Sequence, residues 1–420
     1  MAVLRALLGV AVLCSIAWGL SGNRRRIPWR TVLVGIGLQV VLALFILRSD
    51  PGIWIFAQLT ALVAKLLQMT NDGTALVFGP LSDQAKTGFV LAIALCTIIF
   101  FSALMAILYF LGVMQTIIWL LARFMSYAMG VSGAESMAMA ANIFVGQTEA
   151  GLTVKQYIPR MTRSELNSLM TGGFATMAAG MIAIYTGLMG QRYGTHILAA
   201  EVLSAPAAFV IAKLMRPETE EPETGSHFPL TIDRGAHNIL EATANGTRDG
   251  LYLFLNVVAM LISFGALVAL INWPLGVIGE KLHIDGVLDL GRIFGWLLSP
   301  IAWVIGITDW GDCQRVGGVL GIKVATNEFF GFLRLSRMTP EAAATATQPA
   351  AFGYLSERAS ILATYAICDF ANFVSIGIQI GGFTPMAPER KTDFASLAFR
   401  AMIGGCLASW MTAAIAGMFV

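Results

Sequence analysis

Two short polar stretches interrupt otherwise apolar sequence and carry side chains able to hold a ligand. The first, Asn142-Ile143-Phe144-Val145-Gly146-Gln147-Thr148-Glu149, offers an amide, a glycine break, a second amide, a hydroxyl and a carboxylate. The second is Thr326-Asn327-Glu328-Phe329. Gln147 can donate and accept, Thr148 carries a hydroxyl, and an ionised Glu149 only accepts. Together they suit the amide and imino edge of a neutral heterocycle. Glu328, converging with Asn372 and Ser375, suits two adjacent hydroxyls such as a sugar diol. Phe370 supplies a ring face.

The surroundings of these residues set their meaning. Of 420 residues, 57% are hydrophobic and only 12% are charged, with mean hydropathy +0.73. A chain so poor in charge belongs in a bilayer, where two glutamates in apolar sequence mark a functional site by default. The formal charge of +2 says nothing about nucleic acid, and no basic run is interleaved with aromatics, so no nucleic-acid partner is expected. No GxxxxGK[ST] occurs to hold ATP. The five cysteines show no CxxC or metal-ligand spacing and the four histidines no HExxH, so the cysteines read as small apolar residues. An intramembrane enzyme using Glu149 and Glu328 as an acid–base pair would need a nucleophile or metal pattern that does not accompany them.

Apolar runs long enough to span recur at 3–20, 31–47, 89–115, 166–190, 195–215, 251–277, 359–381 and 398–420, about eight in all. Val3–Leu20, followed by Arg24, Arg25, Arg26 and Arg30, reads as a first span with a cytoplasmic exit, which places both termini outside. Pro51–Gln68 alternates apolar and polar residues at helical spacing and reads as an interfacial helix or as a lipid-facing helix packed on the spans. Thr116–Gly130 and Gly291–Ile307 look similar.

Shorter segments position the polar knots. Ala134–Phe144 and Ala150–Arg160 flank the first, Gly317–Ala325 and Phe330–Arg337 the second. An arm of 11 residues rises only about 16 Å, roughly half the hydrocarbon core. Each pair therefore describes a re-entrant hairpin whose tip stops near the midplane. Non-helical backbone survives there only when buried in protein or lining water. A broken span follows each hairpin, at Gly172–Gly180 and at Cys368–Gly377. Met129-Gly130-Val131-Ser132 before the first hairpin resembles Ile305-Gly306-Ile307-Thr308 before the second. Three spans separate the hairpins, so they enter from opposite faces. The expectation is an all-α integral membrane protein with two re-entrant hairpins and two broken helices in inverted repeats, the layout of secondary transporters. It divides into N-terminal scaffold spans (1–115), a first repeat (116–215), a polar linker (216–250), a scaffold span (251–290) and a second repeat (291–420). A purely structural use of Glu149 and Glu328, pairing with Lys155, Lys323 or Arg334, is the competing expectation. Against it, the acids sit at tips while the basic residues sit lower on the arms.

Gly146-Gln147-Thr148-Glu149, Asn327-Glu328-Phe329 and Phe370-Ala371-Asn372-Phe373 with Ser375-Ile376-Gly377 resemble signatures of the concentrative nucleoside transporter family. Arg160-Met161-Thr162-Arg163-Ser164-Glu165-Leu166 and Met170-Thr171-Gly172-Gly173 are similar too, and the resemblance runs from about Thr31 to the C-terminus. It implies a homotrimer of eight-span subunits in the bacterial cytoplasmic membrane, each with a scaffold and a mobile transport region. By this resemblance Gln147, Thr148 and Glu149 bind the nucleobase, Glu328, Asn372 and Ser375 bind ribose, and Phe370 packs beside the nucleoside.

Family members are symporters driven by sodium or, in some bacteria, by protons. The sodium pattern implies Asn142 and the Val145 carbonyl at the first tip, with Thr176 and Met177 from the broken helix. All offer oxygen, as a hard alkali cation requires. Proton coupling through Glu149, Glu328 or Asp369 is the alternative. Three departures stand out: Asp369 where glycine is common, Thr308-Asp309-Trp310 in place of a Pro-Trp type turn, and Thr176 in place of serine. Asp369 reads as a cation-site accessory, a salt-bridge partner or the remnant of a changed coupling.

Overall fold

A computed structural model describes residues 2–82, 90–225, 235–283, 288–345 and 353–420. All regular structure among them is helical. The helices are α1 (Ala2–Gly19), α2 (Trp29–Arg48), α3 (Asp50–Phe78), α4 (Val90–Phe110), α5 (Val113–Met129) and α6 (Gly133–Asn142). They continue with α7 (Glu149–Leu152), α8 (Arg163–Ala175), α9 (Ala179–Met189), α10 (Gln191–Met215), α11 (Ile239–Lys281) and α12 (Leu290–Ile305). The last six are α13 (Trp310–Ala325), α14 (Glu328–Ser336), α15 (Pro340–Thr345), α16 (Glu357–Ile367), α17 (Phe373–Phe383) and α18 (Lys391–Ala416).

Among the described residues six helical stretches are long and apolar enough to cross a membrane, or up to eight if each of two bent pairs counts as one span. The chain is a multi-pass membrane protein. The length test misses the expected span at 359–381 because its break leaves two halves, α16 and α17, of 11 residues each. Residue 89 and residues 226–234 of the expected linker lie outside the described residues.

The repeat is visible in how each hairpin begins. Gly130 (φ 69°) and Gly306 (φ 119°) end α5 and α12 in the left-handed conformation that favours glycine. Two or three residues later the first arm of each hairpin starts on a side-chain cap. The Ser132 hydroxyl accepts from the Glu135 N–H at 3.4 Å, and Asp309 accepts from the Asp312 N–H at 2.7 Å. The chain turns sharply at these points. Cys96–Phe110 and α5 meet at 77°, and α12 and α13 meet at 110°. If α4 and α13 stand along the bilayer normal, α5 and α12 lie close to its plane, as expected of interfacial helices.

Several expectations are refined or corrected. Of the two readings of Pro51–Gln68 the lipid-facing one holds: it is part of α3, a helix of 29 residues that is long and apolar enough to cross and mostly exposed. Ser49 caps it through the Gly52 N–H at 3.1 Å, and no break occurs before Gly79. The return arm of the first hairpin is α-helical only over α7; turns follow, then a 3-10 turn at Ile158–Arg160. There the Thr153 hydroxyl takes the Ala150 carbonyl at 2.7 Å, the N–H bonds run three residues back, and Pro159 has no N–H to give. The first arm of the second hairpin is longer than expected, because the Asp309 cap starts α13 at Trp310. The linker is shorter, since α11 begins at Ile239 on the Asn238 cap.

The packing separates a core from a periphery. α10 runs through the middle with nearly all its apolar window buried, whereas none of the corresponding window of α11 is. α11 binds α4 through close backbone contact: a Cβ on Gly250 would meet Ile99 Cα at 2.8 Å. Beyond that seam it exposes Tyr252, Ile262, Leu270 and Trp273. The polar segment after α10 is tied to the base of the first hairpin. Glu218 accepts from Thr162 at 2.9 Å, and Lys213 pairs with Glu135 at 2.8 Å in the buried interior.

Candidate functional site

The two hairpin tips meet across the start of α17. Asn372 caps that helix, its Oδ1 accepting from the Ser375 N–H at 2.9 Å. Its Nδ2 is therefore free to face the second tip, where it donates to Glu328 Oε2 at 3.2 Å. The other Glu328 oxygen accepts from the Tyr185 hydroxyl at 3.0 Å. The Tyr185 ring stacks on Phe332, with centroids 4.1 Å apart, which fixes the direction of its hydroxyl. Glu328, only 6% exposed, thus sits between two neutral donors.

From the first tip, Gln147 Nε2 donates to Ser375 Oγ at 3.2 Å, and Gln147 Oε1 accepts from Gln379 Nε2 at 3.2 Å. Gln379 lies one turn beyond Ser375 and also donates to the Met170 carbonyl at 3.1 Å. Gly173 makes room: a Cβ there would meet Gln379 Nε2 at 2.9 Å and Gln147 Cβ at 3.0 Å. A continuous bonded chain therefore runs from α8 through the first tip and α17 to the second tip and α9.

Of the residues expected in a substrate site, Gln147, Ser375, Asn372 and Glu328 belong to this chain. Phe370 lies half-buried in the break before it. Thr148 packs on α17, where a Cβ on Gly382 would meet its Cγ2 at 2.2 Å. Its hydroxyl donates to Glu149 Oε2 at 3.1 Å. Glu149 itself is exposed, so only one of the two tip glutamates is buried. The short return arm leaves the first tip open on that side.

The residues expected around a cation are also adjacent. Asn142, the last residue of α6, is fully buried, and neither its Oδ1 nor its Nδ2 has a hydrogen-bond partner. A Cβ on Gly172 would meet that Nδ2 at 3.1 Å, so the amide lies against α8. Four residues on, Thr176 turns extended and ends α8, its hydroxyl donating to the Gly172 carbonyl at 2.9 Å. The Phe144 carbonyl, just before Val145, accepts from the Ala179 N–H at 3.2 Å and joins tip to break. Buried amides are almost always bonded, so the orphaned Asn142 calls for a partner.

Sequence reasoning passed over three site residues. Glu201 is buried on α10, and both its oxygens accept from the Met177 N–H, at 3.0 and 3.1 Å. A lone carboxylate inside an apolar run was signal enough to find it. Gln379 shares a helix face with Ser375 and was readable by spacing. Tyr185 gave no local signal. The ion pairs differ from the competing expectation as well: Lys323 pairs with Asp369, Arg334 with Asp289 at 3.6 Å, and Lys155 is exposed. Asp369 is thus a salt-bridge partner, one of its three readings.

Comparison with known proteins follows the same lines. Family models described as Na+ dependent nucleoside transporter N-terminus, nucleoside recognition, and Na+ dependent nucleoside transporter C-terminus match residues 8–81, 91–192 and 196–417. An uncharacterized transporter of Haemophilus influenzae is 43% identical, the match covering 100% of this chain and 98% of that one. Sodium/nucleoside cotransporter 1 of Mus musculus is 38% identical over 98% of this chain, which spans 63% of the mouse protein's length. The solved structure of CNTnw in an inward-facing substrate-bound state superposes with a TM-score of 0.91 at 37% identity, covering 100% of this chain and 98% of that one. A CNTnw variant in an outward-facing state gives the same TM-score at 36% identity, covering 100% of this chain and 99% of that one. Matched from end to end by models, relatives and structures alike, this multi-pass chain is no enzyme: it belongs to the Na+-dependent, or concentrative, nucleoside transporter family.

Proposed function

We propose that this protein is a sodium–nucleoside symporter that imports nucleosides across the bacterial cytoplasmic membrane by an elevator-like movement. The bonded chain joining both tips to α17 carries this reading, because it concentrates Glu328, Asn372, Ser375 and Gln147 at one place. Glu328, Asn372 and Ser375 take the ribose hydroxyls. Gln147, Thr148 and Glu149 take the base edge, and Phe370 packs beside the ligand. The Asn142 Oδ1, with the Val145, Thr176 and Met177 oxygens, holds sodium as co-substrate. A desolvated amide oxygen beside unwound backbone suits a hard cation.

Because Asn142 and Gln147 share one short segment, either ligand orders the backbone that the other needs. The two affinities are therefore coupled by one common factor. Membership of this family supports a homotrimer in which residues 1–115 and 251–290 form the stationary scaffold. Purified protein tests the ribose assignment. Uridine should stabilise it against heat and 2′,3′-dideoxyuridine should not; equal stabilisation by both removes the diol reading.

Proton coupling is the second reading. The observation in its favour is that Glu328 is buried with no ion-pair partner among the described residues. Asp369 is less suited to carry a proton, since its charge is matched by Lys323.

A further inference from the structure

The base of the first hairpin carries positive charge that the transport site does not use. Residues 20–31 hold four arginines, Arg24, Arg25, Arg26 and Arg30, all exposed, and no acid. Three of them bond to main-chain carbonyls: Arg24 to Gly19 at 2.6 Å, Arg26 to Glu218 at 3.1 Å and Arg30 to Tyr127 at 2.6 Å. A carbonyl takes a hydrogen but leaves the charge, so among the described residues the loop has no ion-pair partner.

Beside this loop lies a cavity of about 450 Å³. Its wall is Arg30, the turn from α5 into α6 with Ser126, Tyr127, Gly130 and Ser132, and the polar segment around Thr224. The wall holds one cation and no acid. On the polar segment, Glu218 and Glu223 turn to Lys213 and Arg160, at 3.5 and 2.7 Å, and Glu220 and Glu221 lie outside the wall. Gly130 seats the guanidinium: a Cβ there would meet Arg30 Cδ, Nε and Cζ at 3.2 Å. A guanidinium has several N–H donors, and those not spent on Tyr127 remain for an anion.

An apolar track leads to the same place. α5 exposes Ile117, Leu120, Phe124 and Tyr127, spaced three or four residues apart along one face, and Tyr127 belongs to the wall. Trp29, also exposed, precedes Arg30. Exposed rings beside arginines are the pattern of a chain seated at phospholipid headgroups.

We propose that this cavity binds the headgroup phosphate of an anionic phospholipid, with Arg30 on the phosphate and an acyl chain along Ile117, Leu120 and Phe124. Arginine suits phosphate because two of its donors reach two oxygens at once. The unpaired loop adds attraction for a net negative headgroup. The track gives an acyl chain a seat that a soluble phosphate ester cannot use. A lipid held there touches Gly130 and Ser132 and so braces the turn from which the first hairpin begins.

The test is lipid retention by the purified full-length protein, stripped of lipid in detergent and read by native mass spectrometry. It is offered equal amounts of dioleoyl phosphatidylglycerol and dioleoyl phosphatidylcholine. Phosphatidylglycerol should be retained in preference by about tenfold or more, and glycerol 1-phosphate should not displace it. Arg30→Gln should weaken its binding about fivefold, the share of one basic residue at an anionic headgroup. Leu120→Ser with Phe124→Ser, which leaves the arginines in place, should weaken it at least about fivefold. Equal retention of the two lipids overturns the proposal. Displacement by glycerol 1-phosphate also overturns it, because the ligand is then a soluble phosphate ester. Unchanged binding in Arg30→Gln takes the phosphate out of this cavity. If Arg30→Gln does not fold, the exposed serine pair decides, and unchanged retention there overturns the proposal.

Discussion

The Asn372 side chain is used at both ends: Nδ2 donates to Glu328 Oε2 at 3.2 Å while Oδ1 caps α17 through Ser375. The second hairpin tip is thereby oriented by the same residue that starts the helix facing it. The Oδ1 cap, which contributes about 1 kcal/mol, holds the Asn372 amide with its Nδ2 turned to Glu328. The site is held in shape by its own secondary structure.

Glu328 should therefore matter more than its charge alone suggests. Glu328→Ala should reduce uridine uptake at least about a hundredfold, since hydrogen bonds to a charged group contribute roughly 1.5–3 kcal/mol each and two are lost to the substrate. Surface expression should persist. Tyr185→Phe keeps the stacked ring and deletes only the hydroxyl. Its uridine KM should rise about tenfold, the value of one bond to a carboxylate. Normal uptake by the first variant removes the ribose assignment; an unchanged KM in the second removes Tyr185 from the site.

Asn142→Ala should raise the half-saturating sodium concentration about tenfold or more, because it deletes the oxygen proposed to hold the ion without filling the site. At saturating sodium the uridine KM should return towards wild type. A uridine KM that stays raised at every sodium concentration shows that Asn142 acts on the nucleoside directly.

Glu201 separates positioning from charge. Glu201→Gln keeps an oxygen for the Met177 N–H, so sodium dependence should stay close to wild type. Glu201→Ala leaves that N–H unpaired in the interior, at a cost of about 1–3 kcal/mol, and half-saturating sodium should rise with a fall in thermal stability. If Gln behaves like Ala, the carboxylate charge and not the hydrogen bond is what the break requires.

Gly173→Leu tests the seat of Gln147. The added side chain must displace Gln379 and Gln147, whose atoms already lie about 3 Å from a Cβ there. Uridine uptake should be lost while sodium-dependent stabilisation of the purified protein, which reads the Asn142 junction, remains. Loss of both would mean the two ligands share more of the tip than the geometry implies.

The legible parts of the fold were those written in local sequence. Apolar length located most of the spans, though not α3, and clustered polar residues between two short arms located both tips. Gly130 and Gly306, four-residue echoes of each other, marked the repeat correctly because each ends a helix in the same left-handed conformation. The ambiguity and the misreading were also local in cause. α3 reads two ways, as an interfacial or a lipid-facing helix, because polar residues punctuate it, yet nothing in it breaks a helix. The return arm at 150–160 looked helical because its competing Thr153 and Pro159 act through single bonds. What could not be read was long-range: Tyr185 meets Glu328 across 143 residues, and Lys323 chooses Asp369 over the nearer Glu328. Nothing in an apolar helix announces which face will meet a hairpin tip.

The central claim, that one nucleoside site is loaded by a sodium ion held on the same hairpin tip, is tested most directly by radiolabelled uridine uptake into proteoliposomes under separately imposed gradients. An inward sodium gradient at equal pH should drive accumulation, and a proton gradient in choline should not. Accumulation driven by the proton gradient alone, and abolished by a protonophore, would contradict the account.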